Sequence, residues 1–193
     1  MSVIIGIDPG KTGAICALND RGVAEFHDID GSLPGAIHKL STYMSGDHKE
    51  QILGVVIEGV SPMPTDGAHN AFEFGKTVGT LRGACMALGI SIIAEPRPAD
   101  WKKAVGIALN PPKCPKKPGK DATSQEVAEY VAAKKGHVQA KNRYKREMDI
   151  SSRNRAVEVC PKSAPMLMRA KDTDRAEALL LSRFGFLKLG VVT

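Results

Sequence analysis

The stretch Val3-Ile4-Ile5-Gly6-Ile7-Asp8-Pro9-Gly10-Lys11-Thr12-Gly13-Ala14-Ile15-Cys16-Ala17-Leu18 decides the fold. Val3 to Ile7 is short, apolar and rich in β-branched residues, and it stops at Asp8-Pro9-Gly10, the pattern of a buried strand ending in a loop. Ala14 to Leu18 is a second such run. Asn19-Asp20-Arg21-Gly22 supplies a turn and Val23 to His27 a third strand, so the opening predicts an antiparallel meander.

Further along, Leu33, Ile37, Leu40 and Met44 have helical spacing, and Ile52 to Ile57 is a continuous apolar strand ending at Glu58. Asn70 to Leu88 predicts a second helix, Ile90 to Ala94 another buried strand, and Trp101 to Val105 a short helix after Pro96 and Pro98. Asn110 to Gly119, with four prolines and three lysines, can form neither a helix nor a central strand. Ser124 to Lys135 and Ser152 to Val159 read as helices on either side of a basic stretch, Lys134 to Arg146, and Asp174 to Leu189 as the final helix. The fold class expected is α/β: a mixed sheet with a three-strand meander, flanked by helices. Residues 1–193 are read as one domain with a basic insertion at about 106–150.

The chain has 193 residues, 42% hydrophobic and 25% charged, enough for one sizeable buried core. Lys and Arg number 27 against 21 Asp and Glu, a net charge of +6 that favours an anionic partner. The excess is localised. Residues 101–171 hold 17 basic and 6 acidic residues, whereas the remainder holds 10 and 15. Such segregation suits a protein that grips a polyanion with one surface and keeps its carboxylates for another task. Aromatic residues are only 5%, which argues against broad base-stacking platforms.

Cys16, Cys85, Cys114 and Cys160 are scattered without C-x-x-C spacing, so a reduced, cytosol-like compartment is expected. The start, Met1-Ser2-Val3-Ile4-Ile5, lacks a basic n-region and meets Gly6 and Asp8 too soon for a signal peptide. No apolar run approaches the roughly 20 residues of a membrane span, and a cytoplasmic protein with no membrane partner is expected, in a bacterial cell or as a phage protein in its host.

Asp8 ends the first strand and Glu58 follows the fourth. A single acid in such a place is most often a turn residue or a cap. Two of them, with Asp174 and Glu177 at i and i+3 on one face of the last helix, suggest a cluster whose mutual repulsion calls for cations. Acids also gather in helix first turns for the macrodipole alone. Hard divalent ions, Mg²⁺ or Mn²⁺, take oxygen ligands of this kind, and two of them could drive an in-line phosphodiester displacement.

On these residues the chain resembles the RuvC-like Holliday junction resolvases of the RNase H-like superfold. Gly6-Ile7-Asp8-Pro9-Gly10-Lys11-Thr12-Gly13-Ala14 resembles their opening, Val56-Ile57-Glu58 their second acidic strand end, and Asp174-Arg175-Ala176-Glu177-Ala178-Leu179-Leu180-Leu181 their closing acidic helix, particularly in the phage and chloroplast branches. The resemblance implies a homodimer that cuts branched DNA, foremost four-way junctions, with Asp8, Glu58, Asp174 and Glu177 as catalytic metal ligands. Asp172 and Thr173 compete for the position given to Asp174, which is preferred because its i, i+3 spacing to Glu177 directs both carboxylates one way.

Trp101-Lys102-Lys103-Ala104-Val105 resembles the family segment bearing a functional lysine, here Lys102. A second such lysine matches Lys120 in Lys120-Asp121-Ala122-Thr123-Ser124, although Lys145 and Arg146, ahead of Ser152-Arg153, fit as well. Pro62-Met63-Pro64-Thr65-Asp66-Gly67 resembles the loop from which an apolar residue enters the junction. Met63 takes that place, with Phe72 and Phe74 as neighbouring alternatives, although aromatics on a helix more often belong to a core. Lys113, Lys116, Lys117, Lys141, Arg143, Lys145 and Arg146 would hold the DNA arms. The helix from Asn70 to Leu88, rich in Gly and Ala, is the expected dimer contact.

Other readings meet specific obstacles. Gly10-Lys11-Thr12 suggests a nucleotide loop, but a P-loop requires glycine at position 5, which is Ile. A sugar-kinase or actin-like ATPase would need two duplicated domains, more than 193 residues supply. The histidines, at 27, 38, 48, 69 and 137, show no metal-ligand spacing. A catalytically silent DNA-binding protein and a nuclease for flaps or forks remain as alternatives.

Overall fold

In the computed structural model, which describes residues 1–10, 12–29, 32–45, 51–59, 67–108 and 110–191, strand β1 (Val3–Asp8) is the middle of a five-stranded sheet. Strands β2 (Ala14–Asn19) and β3 (Ala24–Asp28) follow it as the antiparallel meander. Helix α1 (Leu33–Ser45) then crosses to β4 (Ile52–Ile57), parallel to β1 on its other side. Helix α2 (Ala68–Ala87) leads to β5 (Ile92–Ala94), parallel to β4, and the spatial order is β3-β2-β1-β4-β5. The short helix α3 (Pro98–Ala104), the long α4 (Ser124–Val159), two 3-10 turns (Pro161–Met166 and Ala170–Asp172) and α5 (Thr173–Lys188) complete the chain.

The period-2 alternation of strands divides the core in two. Val3, Ile5, Ile7, Val55 and Ile57 face Ala36, Leu40 and Tyr43 of α1 and Leu81 and Cys85 of α2. Ile4 and Val56 face the other way, with Trp101 of α3, Ala156 of α4, and Leu179, Leu180 and Phe186 of α5. This is a mixed α/β/α sandwich with a buried central strand, as the sequence pattern predicts.

Helix α5 lies directly on β1. A Cβ at Gly6 would fall onto the carbonyl oxygen of Ala178 and within 2.6 Å of the Ser182 nitrogen, and one at Gly185 would come within 2.9 Å of Ile4 and Val56. Two glycines, one on each element, therefore set the close approach that carries the first turn of α5 to the end of the sheet.

Two expectations are corrected. The segment 124–159 is one 36-residue helix, not two helices around a basic stretch. Thr123 and Glu126 form a capping box at its start, no proline lies between Pro118 and Pro161, and the intervening lysines and arginines are good helix formers. Phe72, expected in a core, is 66% exposed on α2. Asn110 to Gly119, apart from any regular element, is irregular as expected. Among the described residues, no helix is long and apolar enough to cross a membrane.

Candidate active site

Strand parity brings Asp8 and Glu58 together. Asp8 follows Ile4 and Gly6 on the α5 face of β1, and Glu58 follows Val56 on the same face of β4. The strands are in register, with Ile7 opposite Ile57, and the Glu58 amide donates to the Ile7 carbonyl at 3.0 Å. Helix α5 adds Asp174 and Glu177 above that edge. The four are half-buried, and the charges of Glu58, Glu177 and Asp174 all act on Asp8.

Burial pushes the Asp8 carboxyl well above its usual range, and the charges of Glu58, Glu177 and Asp174 push it further. Burial also raises Glu58, and Glu177 adds to this, whereas hydrogen bonding from Trp101 and the charge of Lys102 oppose the rise. Asp174 is raised by burial and by Glu177, Asp149 and Asp28, against the hydrogen bond from Thr12. Negative charge is thus concentrated where solvent can least disperse it.

Each acid has a donor. The Gly10 amide donates to Asp8 Oδ1 at 3.2 Å, and Thr12 Oγ1 to Asp174 Oδ2 at 2.9 Å. Trp101 Nε1 donates to Glu58 Oε1 at 2.9 Å. Lys102 Nζ, at 2.7 Å, and Ser152 Oγ, at 2.9 Å, both donate to Glu177 Oε1. Among the described residues, no three acid, histidine or cysteine side chains are gathered tightly enough to enclose an ion. The donor set is nonetheless all oxygen, four carboxylates and two hydroxyls, with no thiol or imidazole, and Asp8, Glu58, Asp174 and Glu177 are the residues that could hold a hard cation.

The first turn of α5 is braced from three sides. Arg175 Nε donates to Asp28 Oδ1, at the end of β3, at 2.6 Å, and Arg153 of α4 donates to Thr173 Oγ1 at 2.8 Å. Asp172 is buried and accepts from the backbone and guanidinium of Arg169. Asp172 therefore serves the brace, and Asp174 is the one of the two whose charge acts on Asp8.

Other sequence candidates lie apart. Lys120 is exposed in the turn before α4 and makes no hydrogen bond or ion pair among the described residues. Lys113, Lys116 and Lys117 are exposed in the irregular segment, and Lys141, Arg143, Lys145 and Arg146 are exposed on α4. Met63 lies outside the described residues. Thr12, Trp101, Asp149 and Ser152 were not singled out for the site by sequence reasoning. Trp101 had a signal in its adjacency to Lys102; the other three are placed only by long-range contacts.

The sheet order, the meander and the acidic helix across the central strand define an RNase H-like fold. No protein-family model matches the chain, and no curated protein sequence does. Among solved structures it is similar to T. thermophilus RuvC in complex with Holliday junction substrate, with a TM-score of 0.54 at 14% identity over 100% of this chain and 99% of that one. It is also similar to the Thermus thermophilus RuvC structure, with a TM-score of 0.50 at 14% identity over 99% and 98%. The likeness fixes the fold across the full length of the chain.

Proposed function

We propose that the protein is a Mg²⁺- or Mn²⁺-dependent endonuclease that cuts branched DNA, foremost four-way junctions, as a cytoplasmic homodimer. The observation that carries this reading is the carboxylate cluster itself. Four acids from β1, the end of β4 and α5 crowd one end of an RNase H-like sheet, where burial first and like charge second disfavour their ionised forms and a divalent cation would favour them. When bound, two such ions would supply an activated water and stabilise the leaving oxygen of an in-line displacement.

The chain's own groups would do the rest. Asp8, Glu58, Asp174 and Glu177 would be the ligands, with Thr12, Trp101 and Ser152 fixing the direction of three of them. Lys102, whose ammonium already sits against Glu177, would turn to a backbone phosphate and orient it. The motifs resemble most those of the phage and chloroplast branches of the resolvases, which supports a role of that kind. Met63 or the exposed Phe72 would enter the junction, and one face of the basic segment from 106 to 150, an insertion within a single nuclease domain, would grip the arms.

Two paired cuts in a near-twofold junction call for two copies. Phe72, Gly75, Gly79, Gly83 and Met86 share one face of α2, where a Cβ at any of the three glycines would meet nothing within 4 Å. A second α2 could approach closely there.

The test is cleavage of a synthetic four-way junction, a flap and a linear duplex in Mg²⁺, by wild type and Asp8→Asn. The expected outcome is cutting of the junction alone, lost in the variant while junction binding persists. Equal cutting of all three substrates would overturn the junction preference, and full activity of Asp8→Asn would overturn the site. Tight binding without cleavage in either Mg²⁺ or Mn²⁺ would mark a catalytically silent junction binder.

A further inference from the structure

Helix α4 is much longer than its contact with the rest of the molecule. Its buried residues, Met148, Ser152 and Ala156, all lie in the last third, whereas Ser124 to Arg143 is largely exposed. At about 100° per residue, Lys145, Lys141 and Lys134 fall within about 20° of the direction of Ser152, and Lys135, Arg143 and Arg146 fall about 100° or more away. The face that Ser152 turns to Glu177 therefore continues outward as a row of three lysines.

At about 1.5 Å per residue the lysines lie roughly 10, 16 and 27 Å from Ser152. No acidic residue occurs from 130 to 146. Among the described residues, Lys141 and Lys145 have no ion-pair partner, and Lys134 only lies over the Tyr130 ring, 6.0 Å from its centroid. Their charges are aligned on one face of a helix whose inner end bonds a carboxylate of the site.

We propose that Lys145, Lys141 and Lys134 form a phosphate track that holds one duplex arm along α4 for about 27 Å from the carboxylates. At roughly 3.4 Å per base pair this is about eight base pairs. The track rests on the branched-DNA reading and sharpens it: it selects one face of α4 from a larger basic segment and sets a minimum length for the arm.

The test compares two triple variants of equal charge on the same helix. Lys134→Ala, Lys141→Ala and Lys145→Ala removes the row, and Lys135→Ala, Arg143→Ala and Arg146→Ala removes charge from the other faces. Alanine preserves helix propensity, and circular dichroism checks the fold of each. Binding to a four-way junction is followed by fluorescence anisotropy across a salt series, with arms of about 12 and about 5 base pairs.

The row triple is expected to lower the slope of log affinity against log salt by about 2 to 3, and the other triple by less than about 1. Shortening the arms should weaken the wild type and leave the row triple unchanged. Equal losses from the two triples would overturn the track, as would wild-type indifference to arm length. Linear duplex bound as tightly as the junction would overturn the branched-DNA reading while the comparison of triples still decides the track. Failure to bind either DNA would overturn both.

Discussion

Gly6 shows how one residue joins packing to chemistry. Its missing side chain lets α5 rest on β1, and two positions later the same strand presents Asp8 to the acids that α5 carries. Gly6→Ala is expected to force the two elements apart, at a cost of about 1–3 kcal/mol or more, read as a lower midpoint in equilibrium denaturation. Trp101 makes a second such join: it is fully buried in the core while its indole nitrogen serves Glu58. Asp8 and Glu58 were legible in the sequence because each follows an apolar run by one residue, and period-2 parity puts them on one face. Thr12 and Ser152 were not legible, since a hydroxyl 162 or 25 residues from its acceptor leaves no local pattern.

At the scale of elements, the meander, β4 and α5 were readable from apolar runs and turn residues alone. The continuity of α4 was hidden by its charge, because a polar helix with little buried surface carries no amphipathic signal to follow. Its partners at the other end of the site, the residues bracing α5, depend on the tertiary fold. Arg175 and Asp28 link the first turn of α5 to β3, and the guanidinium holds the Asp28 carboxyl below its ordinary value. A lowered carboxylate pKa contributes stability that is present above the unfolded value, near 3.9, and lost as pH falls through the folded one. Asp28→Asn is therefore expected to cost about 1 kcal/mol near neutral pH, as partly exposed pairs do. The gap from wild type should narrow as pH falls below about 4. Denaturation midpoints of the two proteins at pH 7 and pH 3 check both the size and the sign.

For the whole molecule, the net charge of +6 is the remainder of a basic stretch, residues 101–171 at +11, and the rest of the chain at −5. The proposed homodimer makes a separate demand on α2. Gly79→Leu should leave the isolated fold intact, because the space beside it is open and leucine is the better helix former. The same change should shift the protein from dimer to monomer in sedimentation, and turn paired cuts in a junction into single nicks. A dimer that persists in the variant would place the interface elsewhere.

The meeting of Lys102 and Ser152 on a single oxygen of Glu177 has a topological consequence. The chain leaves the core after Val105 and Ile107 and returns to it at Met148, and none of the residues from 110 to 143 is buried. Such an excursion would behave as a cassette that could be lengthened, trimmed or exchanged between residues 110 and 143 without asking the sheet to move. Substrate grip can then be rewritten by splicing at two adjacent seams, while the residues proposed to cut stay where they are.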